Sequence, residues 1–458
     1  MQVIICGAGQ VGYNIARYLS TEDADVTVID QSPELIAKIT DSLDVKGLVG
    51  FASHPDVLER AGAANADMVI AVTYADEVNM VACQVCHSIF DVPTKIARVR
   101  NQSYLNAMWS DLFSRDHMPI DVIISPEVEV AQAIERRLEI PGAFDVHPLA
   151  NGKVSMIGVH CTADTPILNT QLRQLTALFP EMNIVVVGIW RGGQGIVPKP
   201  EEELHEGDDV YFVAETSHIA RAMAAFGHEE AEARRVIIIG GGNIGFNLAS
   251  SVEKTHPHVA VKLIEVNKER AELVAQSLER TIVIHGDALD AEILEEAGAA
   301  TAEAVIAISN DDEVNILASL LAKRYGCQRA VTLINKPSYG PLVGNLGIDT
   351  IVSPRAITVS TILQHVRRGR IRSVHSISEG FGEIIEAEAL ETSSLVGVPL
   401  REANLPEGVL VGAIVRDEEV IIPRGDTVVQ ANDLIVIFAA THAVKKIEKI
   451  FAVKLEFF

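Results

Sequence analysis

The sequence predicts an α/β protein: two Rossmann-like domains, each a doubly wound parallel sheet, and each followed by a small α+β domain. Three observations predict it. An apolar strand, a glycine turn, a helix, a second strand and an acidic residue follow one another twice. Further matching segments recur at near-constant offsets through both halves. Beyond each repeat the texture changes to short Val- and Ile-rich strands separated by Gly and Pro.

The first copy runs Val3-Ile4-Ile5-Cys6 into Gly7-Ala8-Gly9-Gln10-Val11-Gly12, then a helix, a strand and Asp30. The second runs Val236-Ile237-Ile238-Ile239 into Gly240-Gly241-Gly242-Asn243-Ile244-Gly245 and on to Glu265. Such glycines let the backbone turn sharply and approach a pyrophosphate, which rests on the unpaired N–H groups at the start of the next helix. A glycine turn can also serve packing alone. Here the strand before, the helix after and an acid 18 or 20 residues past the last glycine (30 minus 12, 265 minus 245) agree on nucleotide binding. The acid suits ribose hydroxyls and repels a 2′-phosphate, which favours NAD or an adenosine nucleotide over NADP.

The likeness continues past the glycines. Gly62 returns as Gly298, and Asp76-Glu77-Val78-Asn79 as Asp312-Glu313-Val314-Asn315, both at an offset of 236 (298 minus 62, 312 minus 76). The strand Met68-Val69-Ile70-Ala71 returns as Ala304-Val305-Ile306-Ala307, and Ser125-Pro126 as Ser353-Pro354. Strands alternate with helices, so each copy should hold about six parallel strands. An apolar helix follows each Ser-Pro, at 128–138 and 356–366, and ends in a basic pair, Arg136-Arg137 or Arg367-Arg368.

The small modules carry Ile184-Val185-Val186-Val187-Gly188-Ile189 and Val409-Leu410-Val411-Gly412-Ala413-Ile414. They close alike, at Gly207-Asp208-Asp209-Val210 and Asn432-Asp433-Leu434-Ile435, and a short helix follows each. The expected domains are 1–138 with its crossover helix, 139–228, 234–366 and 367–458. An acidic linker at Glu229-Glu230-Ala231-Glu232 joins the halves.

Composition narrows the function. Of 458 residues 48% are hydrophobic but only 5% aromatic, the usage of parallel sheets covered by helices. A net charge of −24 argues against nucleic acid or unaided binding to anionic lipid. No apolar run reaches the roughly 20 residues that cross a bilayer, and no basic segment precedes the first strand, so a cytoplasmic protein is expected. Five cysteines, an odd number thinly spread, make no disulfide framework. Cys83-Gln84-Val85-Cys86-His87 matches a haem-attachment pattern, but that chemistry requires export and the aligned positions are Ser319, Ala322 and Lys323. A structural helix is the preferred reading there, and no metal site is assigned.

The first site should use the backbone of Gly7, Ala8, Gly9, Gln10, Val11 and Gly12, with Asp30 on the ribose and Phe51-Ala52-Ser53 near the adenine. Thr73 and Tyr74 follow the fourth strand at the topological switch point. Arg98 and Arg100, two apart, point to one face and suit phosphate, an ion pair being the alternative. The second site should use Gly240, Gly241, Gly242, Asn243, Ile244 and Gly245 with Glu265, Gly286, Asp287, Ser309 and Asn310. Asp287 stands where the first copy has Phe51, and the uncharged Leu333 and Asn335 stand for the two arginines. The first site is therefore expected to take the more heavily charged or dinucleotide ligand, and the second an adenosine-type ligand.

Hydride transfer needs a placed acid or base beside the nicotinamide. The small modules offer His147, His160, His205, His375 and His442 at spacings with no common pattern, so no catalytic residue is assigned. A fold does not dictate its function, so an NAD-dependent oxidoreductase, or a nucleotide or redox sensor acting on a membrane protein, stays open as a reading of the doubled fingerprint.

The order large, small, large, small resembles the tandem members of the family that regulates potassium conductance. The resemblance covers essentially the whole chain. It rests on Gly7-Ala8-Gly9-Gln10-Val11-Gly12, Asp76-Glu77-Val78-Asn79-Met80-Val81-Ala82-Cys83-Gln84, Ile96-Ala97-Arg98-Val99-Arg100, Gly240-Gly241-Gly242-Asn243-Ile244-Gly245 and the two small modules. It implies a regulatory subunit that binds NAD or NADH, with ATP or ADP as alternative ligands of the same sites. It further implies a ring, as a homotetramer, peripheral to the inner face of the membrane and docked on an integral membrane potassium channel or transporter subunit. The basic stretch Arg367-Arg368-Gly369-Arg370-Ile371-Arg372 is either a helix end favoured by the helix dipole or a docking contact to that partner.

Overall fold

A computed structural model describes residues 1–20, 24–114, 116–178, 182–343, 346–366 and 371–451. The first repeat opens with β1 (Gln2–Cys6), α1 (Gln10–Ser20), β2 (Asp25–Asp30), α2 (Pro33–Ser42), β3 (Lys46–Val49) and α3 (Pro55–Arg60). It continues with β4 (Met68–Ala71), α4 (Asp76–Ser88), β5 (Thr94–Arg98), β6 (Val122–Ile124) and α5 (Pro126–Glu139). The strands form one parallel sheet in the order β3-β2-β1-β4-β5-β6. Val3, Ile4, Ile5 and Cys6 are all buried, the continuous apolar pattern of a strand covered on both faces. α2 starts where it does because Ser32 Oγ accepts the Leu35 N–H and Pro33 has a preset φ at the first turn.

The first small module holds β7 (Ala143–Leu149), β8 (Val154–His160), α6 (Leu172–Leu178), β9 (Ile184–Arg191), β10 (Gln194–Ile196), β11 (Asp209–Glu215) and α7 (Ile219–Ala225). Its sheet is antiparallel, ordered β10-β9-β11-β8-β7.

The second repeat runs β12 (Arg235–Ile239), α8 (Asn243–Thr255), β13 (Ala260–Glu265), α9 (Lys268–Ser277), β14 (Ile282–His285) and α10 (Ala291–Ala297). β15 (Ala304–Ala307), α11 (Asp312–Arg324), β16 (Arg329–Leu333), α12 (Gly340–Val343), β17 (Thr350–Val352) and α13 (Pro354–Val366) complete it. Its parallel order, β14-β13-β12-β15-β16-β17, reproduces the first sheet. The second small module comprises β18 (Ile371–Ile377), α14 (Ser378–Phe381), β19 (Gly382–Glu388), β20 (Val409–Arg416), β21 (Glu419–Ile421), β22 (Leu434–Ala440) and α15 (Val444–Phe451). Its antiparallel order is β18-β19-β22-β20-β21. Both parts of the expected fold class are present.

The closing Asp residues of the small modules have a structural reason. Asp208 and Asp433 are buried and take their arginines with both carboxylate oxygens, Arg191 at 2.7 and 2.8 Å and Arg416 at 2.8 and 2.7 Å. Each also accepts a backbone N–H three residues earlier, from His205 or Gln430. The pair therefore closes the turn that feeds β11 or β22.

The chain divides into two compact bodies, residues 1–131 with 353–366, and residues 132–352 with 367–458. In the first, α13 from the far repeat packs on α1. Ile362 and Leu363 are buried in the same core as Ile15, Ala16 and Leu19. In the second, the C-terminal part of α5 packs on α8: Glu135 accepts hydrogen bonds from Ser251 Oγ at 2.7 Å and Thr255 Oγ1 at 2.6 Å. Each Ser-Pro helix thus serves the other repeat's first helix. In the second body the small modules also share one core, in which Met156, Tyr211 and Val213 join Ile384, Val436 and Phe438.

Candidate nucleotide sites

Both glycine loops are built the same way. Gly7 and Gly240 sit at φ +113° and +107°, a conformation that side chains strain to adopt. A Cβ on Gly12 would overlap Gly7 O, and one on Gly245 would overlap Gly240 O, so these glycines are required by the strand-to-helix turn itself. The middle glycines differ. A Cβ on Gly9 or Gly242 would meet nothing within 4 Å, and neither has positive φ. The protein's own packing gives no reason for glycine there, and the space left open is what close approach of a ligand to the loop would require.

The acidic residues stand against the loops. Asp30 accepts the Ala8 N–H at 2.7 Å and the Ser32 N–H at 2.8 Å. Glu265 accepts the Gly241 N–H at 2.6 Å and the Asn267 N–H at 2.8 Å. The loops compensate for the longer acid. A Cβ on Gly241 would come within 3.1 Å of Glu265 Oε2, whereas Ala8 is accommodated beside the shorter Asp30.

The repeated Asp-Glu-Val-Asn motif, to which spacing alone assigns no role, organises the other wall. Asn79 Oδ1 accepts the Thr73 N–H at 2.8 Å while its amide donates to Thr73 O and Arg98 O. Asn315 does the same for Ser309 N–H, Ser309 O and Leu333 O. Asp76 accepts the N–H groups of Arg100 and Asn101, and Asp312 those of Asn335 and Lys336. All four side chains are buried. They tie the ends of β4 and β5, or β15 and β16, to one helix start. Their recurrence at one offset was the available signal.

The other residues expected at the sites divide by exposure. Tyr74 is 84% exposed and Phe51 54% exposed, Ala52 is buried and Ser53 half-buried. Asp287 is exposed and accepts the Leu289 N–H, and Asn310 is exposed beside Ser309. Arg98 ends β5, and Arg100 lies two residues past it. The Arg100 guanidinium is 3.1 Å from Glu127 and 4.9 Å from the centre of the Tyr74 ring. Arg98 Nε is buried without a hydrogen-bond partner among the described residues. Burial lowers the Arg98 pKa, Glu127 opposing it and Arg100 adding to it. A half-buried cation with an open donor suits an anionic group. At the second site Leu333 is buried, and Asn335 is held by Asp312.

Elsewhere, Cys6, Cys83 and Cys86 lie in one core, and burial pushes the Cys86 thiol up to about 12. His160 pairs with Asp209 at 2.8 Å, and His205 Nδ1 lies 3.4 Å from Asn169. Contrary to the expectation from spacing, His147 and His375 do share a pattern. Their offset of 228 (375 minus 147) equals that of Ser125 and Ser353 (353 minus 125), and their rings lie 4.5 Å apart. Of the basic stretch, Arg367, Arg368, Gly369 and Arg370 lie outside the described residues, and Ile371 and Arg372 begin β18.

The two loops and two small modules coincide with known family patterns. The TrkA-N domain model matches residues 3–126 and 236–354, and the TrkA-C domain model matches 157–227 and 384–452. The chain belongs to the TrkA family. It is 52% identical over 458 residues to the Trk system potassium uptake protein TrkA of Azorhizobium caulinodans, with each chain covered completely. To the proteins of that name from Halomonas elongata and Vibrio alginolyticus it is 40% and 41% identical, covering 100% and 96% of this chain and 100% and 95% of theirs. Among solved structures, the GsuK RCK domain aligns at a TM-score of 0.61 and 20% identity, covering 98% of this chain and 94% of that one. The GsuK channel bound to NAD aligns at a TM-score of 0.61 and 18% identity, covering 98% and 78%. At such identity the likeness is one of fold. TrkA-family membership and the two six-stranded sheets agree with the resemblance drawn from the sequence.

Proposed function

We propose that this TrkA-family chain is the nucleotide-sensing regulatory subunit of a Trk-type potassium uptake system. The observation that carries the nucleotide reading is the open space at Gly9 and Gly242, two glycines that the fold does not need. Relatives of 40 to 52% identity named as potassium uptake proteins support the physiological half of the proposal.

In this reading NAD or NADH rests on the first loop, with Asp30 holding its ribose and Arg98 and Arg100 turning to its phosphates. ATP or ADP can take the same cradle, and the second loop with Glu265 takes an adenosine-type ligand. The chain does no chemistry on them. A ligand that binds one arrangement of a homotetrameric ring tenfold better than another supplies about 1.4 kcal/mol per site. Several coupled sites then bias a membrane pore through most of its range. The ring is cytoplasmic and peripheral, held by an integral membrane partner, since its net charge of −24 is repelled by anionic lipid.

The test is to recover the membrane partner by pull-down and to measure potassium flux through the reconstituted pair with NAD, NADH, ATP and ADP. Nucleotide-dependent flux that Gly9→Ala and Gly242→Ala abolish is expected. Flux indifferent to nucleotide, or the recovery of no potassium-conducting partner, overturns the proposal. Calorimetry of Arg98→Ala and Glu265→Ala tests the division of labour, and equal loss of NADH and ATP binding in both variants would defeat it.

A further inference from the structure

The second site lacks the arginines of the first at the end of its fifth strand, yet it is not without a cation. Arg270, in the first turn of α9, reaches back so that its Nε donates to Gly241 O at 2.6 Å. The same Gly241 gives its N–H to Glu265 at 2.6 Å. A guanidinium and a carboxylate therefore bracket one residue of the loop, on the side where β13 ends. In this fold that is where the ribose lies, while the pyrophosphate sits over the start of the next helix.

Arg270 is half-buried, and Nε is the one nitrogen of its guanidinium that is hydrogen-bonded among the described residues, where it forms no ion pair. Next to Glu265, Val266 is 67% exposed, an apolar surface beside that lip. The first copy has nothing comparable: the position aligned with Arg270 is Leu35 and that aligned with Val266 is Gln31. The cations stand at and just past the end of the fifth strand in one copy, and in the helix that follows the second strand in the other.

We propose that Arg270 is the specificity-determining residue of the second site, and that it recognises the adenosine end of a nucleotide. Its planar guanidinium covers the base while Glu265 takes the ribose, so the site accepts adenosine nucleotides with little regard to the groups beyond the first phosphate. The first site, whose cations are Arg98 and Arg100, discriminates at the opposite end. This rests on the reading of Gly240–Gly245 as a nucleotide loop.

The test uses the full-length chain carrying Gly9→Ala, which leaves only the second loop open, titrated calorimetrically with AMP, ADP and NADH. Arg270→Leu, which installs the first site's residue, should weaken AMP and ADP by the same factor, about tenfold, the size of a desolvated cation–aromatic contact. Arg270→Lys, which keeps the charge but not the plane, should recover little of it. Unchanged binding in Arg270→Leu overturns the proposal, as does a loss that grows from AMP to ADP, which would mean that the guanidinium reads phosphates. Adding Gly242→Ala separates the two layers. If nucleotide still binds with that methyl in the cradle and the fold intact, the loop itself is not the site, and the proposal falls with it.

Discussion

The rings of His147 and His375, 228 residues apart in the chain, lie 4.5 Å from each other where the two small modules share their core. His147 is held by Asp145 at 3.1 Å, and Arg137 reaches the same carboxylate at 2.7 Å. Burial works against the Asp145 charge, but His147 and Arg137 outweigh it and hold the carboxyl well below its ordinary range. His375 goes the other way: burial and then His147 push it well below its usual value, with Asp145 opposing and Arg136 adding.

That arrangement fixes the sign of a pH dependence. His375 is depressed in the fold, so below about pH 6.5 the unfolded chain binds a proton that the folded chain does not. Stability conferred by this site is complete above that value and falls by up to about 1.4 kcal/mol per pH unit on acidification, until the folded group itself titrates. Denaturant midpoints between pH 8 and pH 5 should show this acid limb, and His375→Phe should flatten it. An unchanged limb in that variant would place the proton elsewhere.

The glycines of each loop should separate into two classes. Gly12→Ala and Gly245→Ala force a methyl into a backbone carbonyl and should destabilise their domains by about 3 kcal/mol. Gly9→Ala and Gly242→Ala meet no protein atom and should leave thermal midpoints within a degree or two while removing nucleotide binding. Melting curves read beside calorimetry would reveal a uniform effect, which the structure does not allow.

A compensating pair is expected at Gly241 and Glu265. Gly241→Ala presses on Glu265 Oε2, and Glu265→Asp alone shortens the reach to the loop amide. Together they recreate Ala8 with Asp30. The double-mutant cycle should show favourable coupling of about 0.5–1 kcal/mol in stability, and strict additivity would mean that the loops are indifferent to acid length.

The exchanged helices are joined differently. Glu135→Ala removes the acceptor of Ser251 Oγ and leaves Thr255 Oγ1 only Ser251 O, and should cost about 1 kcal/mol. Leu363→Ala, in the apolar joint on α1, should cost about 2–5 kcal/mol. Hydrogen exchange should localise the first effect to α8 and the second to α1. Protection lost in the helix's own repeat instead would contradict the exchange.

Much of the fold was legible in the residues. A strand of four apolar residues before Gly7 or Val236–Ile239 before Gly240 leaves few alternatives to a buried parallel strand, and the positive φ at both glycines follows from the turn they make. The acids were placed by spacing alone. The roles of Asp76, Asn79, Asp312 and Asn315 were not, because each acts on backbone groups some 20 residues away or across a loop, contacts that no local pattern records. Arg270 escaped for a related reason: it aligns with a leucine, and only its reach to Gly241 O gives it a role.

The two sheets, the small modules and the loops are written into the residues themselves, since periodicity and glycine placement act over a few positions. Which helix covers which sheet is settled only by packing in three dimensions. The apolar helices 128–138 and 356–366 read alike, and burial of an apolar face is non-directional, so nothing local says that α13 belongs on α1 and the end of α5 on α8. The same holds for the two glycine classes. Gly9 and Gly12 are the same letter, and only the space around each Cα separates the residue that the turn requires from the one that leaves the loop open.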